Sequence, residues 1–150
     1  MEKHRFHLRV PFGDVDHAGL VYYPNVFNYF HLAYEDFFAR ALQKPLDRFI
    51  AEGRAAPIVH SEADFRAPLR HGMTVEVTCW IRRLGRRSWV WNFEIRDVED
   101  DRDAAPRVRG EITKVFVELA TMRSQELDAE VRALVQPYVE PPDLDSLPSA

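Results

Sequence analysis

Apolar residues alternate with polar ones at the start of the chain: His4, Phe6, Leu8, Val10 and Phe12 share one parity, and Arg5, His7, Arg9 and Pro11 the other. A period of two predicts a half-buried β-strand. Gly13-Asp14-Val15-Asp16-His17-Ala18-Gly19 breaks that period and predicts a loop that runs on to Pro24. From Val26 the spacing changes, and Val26, Phe30, Ala33, Tyr34, Phe37 and Ala41 fall on one face of a helix, with Phe27 and Phe38 widening the stripe. Pro24 suits a first helical position and Pro45 cannot continue a helix, so the element is predicted over about 24–43.

A short amphipathic piece at 46–51 and a turn at Gly53 precede four β-type runs, at 58–65, 73–84, 88–97 and 108–120. Trp89, Trp91, Phe93 and Ile95 line one face of the third run. The connections at 70–72, 85–87 and 99–106 are short and rich in glycine or aspartate, which predicts antiparallel hairpins rather than crossovers. Ser124 is placed to cap a second helix carrying Leu127, Val131, Leu134 and Val135 on one face. Pro137, Pro141, Pro142 and Pro148 with scattered acids predict a disordered tail over 137–150, which leaves 1–136 as a single domain. The simplest packing is α+β, an antiparallel sheet burying the wide stripe of one long central helix.

Composition narrows the class. A chain of 150 residues, 46% hydrophobic and 29% charged, carries one core and excludes disorder as the global state. It has neither an apolar run of about 18 residues nor an apolar segment behind Met1-Glu2-Lys3-His4-Arg5, so the expectation is a cytoplasmic protein without membrane partners. The single cysteine, Cys79, rules out an internal disulfide and a cysteine zinc cluster. A net charge of -4 argues against nucleic acid as a partner, with the four arginines between Arg82 and Arg87 as a local exception.

Motifs for a nucleophile elbow, a phosphate-cradling loop, a zinc protease and a dinucleotide site are all absent, so any chemistry rests on isolated side chains. The densest candidate is 13–24, where two carboxylates, a histidine and a glycine precede a helix N-terminus. The first N–H groups of a helix lack intrahelical acceptors, so that of Tyr23 is suited to polarise a carbonyl oxygen while a nearby carboxylate acts on the carbon or on water. An aspartate-rich capping turn and an Asp14/Asp16/His17 metal site are the alternatives on spacing alone.

The run Phe12-Gly13-Asp14-Val15-Asp16-His17-Ala18-Gly19-Leu20-Val21-Tyr22-Tyr23-Pro24-Asn25 resembles the signature of the 4-hydroxybenzoyl-CoA thioesterase-like family of hotdog-fold acyl-CoA thioesterases. The aromatic helix to Phe38, Pro57-Ile58-Val59 and Arg86-Arg87-Ser88-Trp89 extend the resemblance over about 5–120. It implies a hotdog fold, a five-stranded antiparallel sheet wrapped around the central helix. It also implies hydrolysis of an aryl or short aliphatic acyl-CoA to carboxylic acid and CoA, without metal or organic cofactor. Asp16 would be the catalytic carboxylate, as nucleophile or general base, and the Tyr23 backbone N–H the thioester-polarising donor. Arg86 and Arg87, with Ser88, would hold the CoA phosphates, although Gly85 stands where other members carry a further basic residue. The same resemblance implies a homodimer or homotetramer with the active site at the subunit interface. His31 replaces an acid common in the family's central helix and is read either as a substrate contact or as a helix contact paired with Glu35. His60 is a candidate for the acyl pocket, and His17 beside Asp16 keeps open a hydratase or dehydratase of the same fold. A non-catalytic acyl-CoA-binding module is the other rival, and the acid at Asp16 speaks against it.

Overall fold

The computed structural model describes residues 1–142. Strand β1 (His4–Arg9) leads through a loop into helix α1 (Tyr23–Asp36), which ends in a π turn (Phe37–Ala41). Helix α2 (Leu46–Ala51) and strands β2 (Arg54–Ala55), β3 (Ile58–Phe65), β4 (Thr74–Leu84), β5 (Ser88–Asp97), β6 (Val108–Val115) and β7 (Val117–Glu118) follow. Helix α3 (Ala129–Val135) and a 3-10 turn (Gln136–Tyr138) close the described chain. Five antiparallel strands form the main sheet in the order β1-β4-β5-β6-β3, and β2 pairs with β7 in a separate ribbon. Among the described residues no helix is long and apolar enough to cross a membrane.

The α+β expectation of one apolar helix buried by one antiparallel sheet holds, and the contacts show how. Phe30 stacks on Phe93 with ring centroids 4.7 Å apart, while Tyr34 and Phe37 meet Trp91 edge-on at 5.2 and 5.0 Å. Each such ring contributes roughly 1.5–3 kcal/mol by leaving water. Phe30 also lies directly over Gly110 of β6, where a Cβ would come within 2.3 Å of its ring. Only glycine permits that approach. Trp89 and Trp91 bury their indole N–H groups without an acceptor among the described residues, a cost of roughly 1–3 kcal/mol each that the surrounding ring contacts offset.

Four expectations need correction. The central helix was expected as one α-helix to residue 43, but its pattern widens after Asp36, and the Leu42 N–H reaches back five residues to the Phe37 carbonyl at 3.1 Å. The extra residue in that turn lets Phe37 and Phe38, adjacent in sequence, both enter the core. β3 and β4 do not form a hairpin: β4, buried along most of its length, needs β1 and β5 on its two sides, and the exposed β3 takes the edge beside β6. The run at 108–120 divides at Phe116: its N–H makes a last bond to the Arg87 carbonyl beside β5, and the next two residues pair with β2 instead. Asp128, not Ser124, caps the last helix, accepting the Val131 N–H at 2.8 Å, and Leu134 is exposed rather than on the buried face. Ser124 instead forms a bridge with Val117.

The tail expected to be disordered from 137 is held as far as Glu140. The Glu2 N–H donates to the Pro137 carbonyl and the Glu140 N–H to the Ile81 carbonyl, both at 2.8 Å, and the Trp80 indole N–H donates to the Glu140 carboxylate at 2.9 Å. Residues 143–150 lie outside the described residues.

Candidate active site

Val15 and Val21 pair across a tight hairpin whose tip is Asp16 to Gly19. The Asp16 N–H donates to the Leu20 carbonyl at 2.8 Å, the Gly19 N–H to the Asp16 carbonyl at 2.9 Å, and the Ala18 N–H to Asp16 Oδ1 at 2.8 Å. Gly19 closes the turn at φ +76°, a conformation glycine adopts without strain. The hairpin presents Asp16 and His17 to solvent.

Asp14, two residues earlier, is anchored instead. Its carbonyl accepts the Tyr22 N–H at 2.8 Å and the Asn25 side-chain amide at 3.0 Å, and its carboxylate accepts the Tyr29 hydroxyl at 2.7 Å. Burial and the adjacent carboxylate push the Tyr29 phenol well above its ordinary pKa, so it stays a donor. Asp14 therefore ties the loop to α1, and Asp16 is the carboxylate left facing outward. Tyr29 itself is buried and committed to this bond.

At the helix start the Tyr23 N–H has no acceptor among the described residues, and the next residue, Pro24, has no N–H. The positive end of the helix dipole is thus focused on one donor beside the Asp16 hairpin.

The basic turn lies elsewhere. The Gly85 N–H donates to the Ser88 carbonyl at 2.8 Å, and a side chain at Gly85 would stand 3.1 Å from that oxygen, so a third basic residue there would crowd the turn. Arg86 pairs with Glu126 at 2.5 Å, and Arg87 donates to the Ser124 hydroxyl at 3.4 Å. Glu126 is an acid that local sequence did not disclose. Ser88 opens β5 next to Trp89, which packs on Tyr34 and Phe38 at the far end of α1. Fourteen helical residues, roughly 21 Å at 1.5 Å each, therefore separate the Asp16–Tyr23 end from the Arg86–Ser88 end. One chain does not bring them together.

Two cavities flank the second half of α1. A largely apolar one is walled by Phe38, Leu46, Phe49, Trp89, Phe116 and Leu127, with Arg54, Glu126 and Asp128 at its margin. A smaller cleft lies between α1 and the β3 edge and is lined by Phe27, Phe30, His31, Tyr34, Ile58, Ser61, Ile112 and Lys114. His31 pairs with Glu35 at 2.9 Å, one of the two expected roles, and also lines this cleft. His60 lines neither cavity; it lies on the exposed β3 edge, 3.1 Å from Glu62. Arg82 pairs with Glu111 on the outer face of the sheet. Cys79 is a buried filler whose thiol pKa is pushed up by burial.

Lys114 was missed by sequence reasoning, although a signal existed. It shares parity with Ile112 and Phe116, so a lysine stands on the apolar face of β6. Burial pushes its pKa down from 10.5 to about 8, with the Glu35 carboxylate pulling the other way.

A five-stranded antiparallel sheet wrapped around one long helix, with a carboxylate hairpin at that helix's start, defines a hotdog-fold protein. Comparison with known sequences is more specific: the family model of the thioesterase-like superfamily matches residues 10–135, and the chain belongs to that family. A 1,4-dihydroxy-2-naphthoyl-CoA hydrolase of Prochlorococcus marinus (strain MIT 9303) is 31% identical over 94 residues, 58% of this chain. The match spans 62% of that relative, less than two thirds of its length. Among solved structures, a 1,4-dihydroxy-2-naphthoyl-CoA thioesterase from Synechocystis superposes with a TM-score of 0.81 at 24% identity, covering 97% of this chain and 100% of the other. A gentisyl-coenzyme A thioesterase superposes with a TM-score of 0.75 at 26% identity, covering 85% and 98%.

Proposed function

We propose that the protein is an acyl-CoA thioesterase, hydrolysing an acyl-CoA to a carboxylic acid and free CoA. The observation that carries this reading is the unpartnered Tyr23 N–H at the helix start, entered from the hairpin that exposes the Asp16 carboxylate, with Asp14 already committed to Tyr29. The thioester oxygen accepts the Tyr23 N–H, which stabilises the charge that develops as the carbonyl carbon becomes tetrahedral. Asp16 either attacks that carbon, giving an anhydride that water opens, or takes a proton from an attacking water. In both routes CoA leaves as the thiol, and one water is consumed. The names of the related enzymes and the aromatic walls of the smaller cleft support an aryl acyl group.

The separation of the two halves of the site supports a dimer. Phe30 lies over Gly110 and Tyr34 over Lys114, so α1 runs in the same sense as β6 and opposite to β3. β3 is an open edge on which Ile58, Val59 and Phe65 are 51%, 61% and 51% exposed, a surface suited to pairing. Joining β3 to its copy about a two-fold axis sets the two central helices side by side and opposed. The Asp16–Tyr23 end of one subunit then meets the Tyr34–Phe38 end of the other, where Arg87, and Arg86 once it exchanges Glu126 for a phosphate, would meet the CoA phosphates.

Asp16→Asn is the decisive variant. Asparagine keeps the Oδ1 that accepts the Ala18 N–H, so the hairpin survives while the carboxylate is lost. Turnover of an aryl-CoA should fall by roughly 100-fold or more, and turnover within a few-fold of wild type would refute the assignment. A single wild-type turnover quenched with hydroxylamine then separates the two routes, because an Asp16 anhydride is trapped as the Asp16 or acyl hydroxamate, whereas the general-base route forms no anhydride to trap.

A further inference from the structure

Hydrolysis as derived above makes no use of Lys114. The residue is only 7% exposed, enters the space beneath α1, and holds its ammonium 3.9 Å from the centre of the Tyr34 ring. Among the described residues it forms no ion pair within 4 Å, and Glu35, its nearest electrostatic support, is already paired with His31. Tyr34 and Lys114 line both cavities, so this ammonium stands at the partition between them. A methionine would fill the same space without desolvating a charge, so packing alone does not account for a lysine here. What the site lacks is an acceptor. The rest of the smaller cleft offers no anion: its polar groups are the Ser61 hydroxyl and His31, which is paired with Glu35, and Phe27, Phe30, Ile58 and Ile112 make the remainder apolar, a lining suited to an aromatic ring.

We infer that Lys114 selects the acyl group: the cleft between α1 and β3 takes an aromatic acyl chain whose far end carries an anionic or hydrogen-bond-accepting oxygen, and the Lys114 ammonium binds that oxygen. This rests on the thioesterase reading and on the opposed helices of the dimer, which put the thioester beside Tyr23 of one subunit and the acyl group along α1 of the other. The Tyr34 ring holds the ammonium in place by its π face, and the oxygen of the acyl group completes a charge-assisted bond in a site from which water is largely excluded. Acyl groups ending in a methyl leave the cation desolvated and unpaired, and that penalty creates the discrimination.

Three CoA thioesters that differ only at the para position test this: 4-carboxybenzoyl-, 4-hydroxybenzoyl- and 4-methylbenzoyl-CoA. Wild-type kcat/KM should favour at least one oxygenated substrate over the methyl one by about tenfold or more. Lys114→Met should collapse that ratio towards one, and Lys114→Arg, which keeps a cation, should retain a preference of the same sign. The inference is overturned if the wild type shows no preference, if the preference survives in Lys114→Met, or if all three substrates lose activity equally. Should the wild type hydrolyse none of the three, the thioesterase reading fails separately. Lys114 is then judged by calorimetric titration of benzoate: tighter binding to wild type than to Lys114→Met sustains an oxyanion site, and equal binding overturns it.

Discussion

Replacing Lys114 with methionine should stabilise the folded chain by an amount that shrinks as the pH rises. The ammonium has a pKa of about 8 in the folded protein against an ordinary 10.5. Below pH 8 it is charged in both states, and the folded state bears the whole cost of burying it. At roughly 1.4 kcal/mol per tenfold change in affinity for the proton, that cost is about 3 kcal/mol. Between pH 8 and 10.5 the folded lysine releases its proton while the unfolded one retains it, so wild-type stability gains with pH and the cost vanishes above that window. At pH 9.5 roughly 1.4 kcal/mol should remain. Other groups titrate nearby. Burial pushes the Cys79 thiol and the Tyr34 phenol upward, so each lowers stability at alkaline pH. Around Lys114 itself stand His31, Tyr34 and Glu35 on α1, with Arg54, Glu126 and Asp128 at the margin of the larger cavity. All of these are common to both proteins, so the difference between them isolates Lys114. Urea unfolding of wild type and Lys114→Met at pH 7, 8, 9 and 9.5 supplies that difference. A methionine advantage that stays constant across the series, or a destabilised Lys114→Met, would refute the reasoning.

Three further predictions concern other parts of the molecule. Gly110→Ala should cost about 3 kcal/mol or prevent folding, since its methyl would occupy the place of the Phe30 ring; a thermal midpoint within a degree or two of wild type would contradict the close approach. Tyr29→Phe should cost roughly 1 kcal/mol by removing the donor to Asp14 and should lower kcat more than it raises KM as the Asp16 loop loosens; unchanged kcat would show that the bond does not position the hairpin. Arg86→Glu with Arg87→Glu should raise KM for an acyl-CoA several-fold or more, with little effect on an acyl-pantetheine that lacks the nucleotide phosphates. Equal effects on the two substrates would remove these arginines from the CoA site.

What could be read from the chain and what could not divide along range. Period-two alternation located β1, runs of β-forming residues located β3, β4 and β5, and the wide stripe from Val26 located α1, because such patterns are set within each element. Sheet order is another matter. That β3 pairs with β6, and not with β4, depends on residues some fifty positions apart, and short connections alone suggested the wrong neighbour. The same limit applied in the site. The loop at 13–24 was visible as chemistry, but the division of labour between Asp14 and Asp16 depends on Tyr29, and the neutralisation of Arg86 depends on Glu126. Asp128 outcompeted Ser124 as a cap because Ser124 was taken into a bridge with Val117. Lys114 is the instructive miss: its parity was legible, yet it was passed over within a run treated as an ordinary strand.

The π turn at Phe37–Ala41 has a consequence for how such a protein changes over time. It acts as a stored insertion, one residue more than an α-helical turn would hold. Losing that residue would leave Tyr23–Asp36 in register, so the Tyr23 end of the helix would be untouched. The chain to α2 would be shorter by one residue, and one of Phe37 and Phe38 would leave the core, drawing Leu46 and Phe49 with it. Those residues wall the larger cavity. A one-residue change of length at this point would therefore resize that chamber without moving the hairpin or the first residues of the helix.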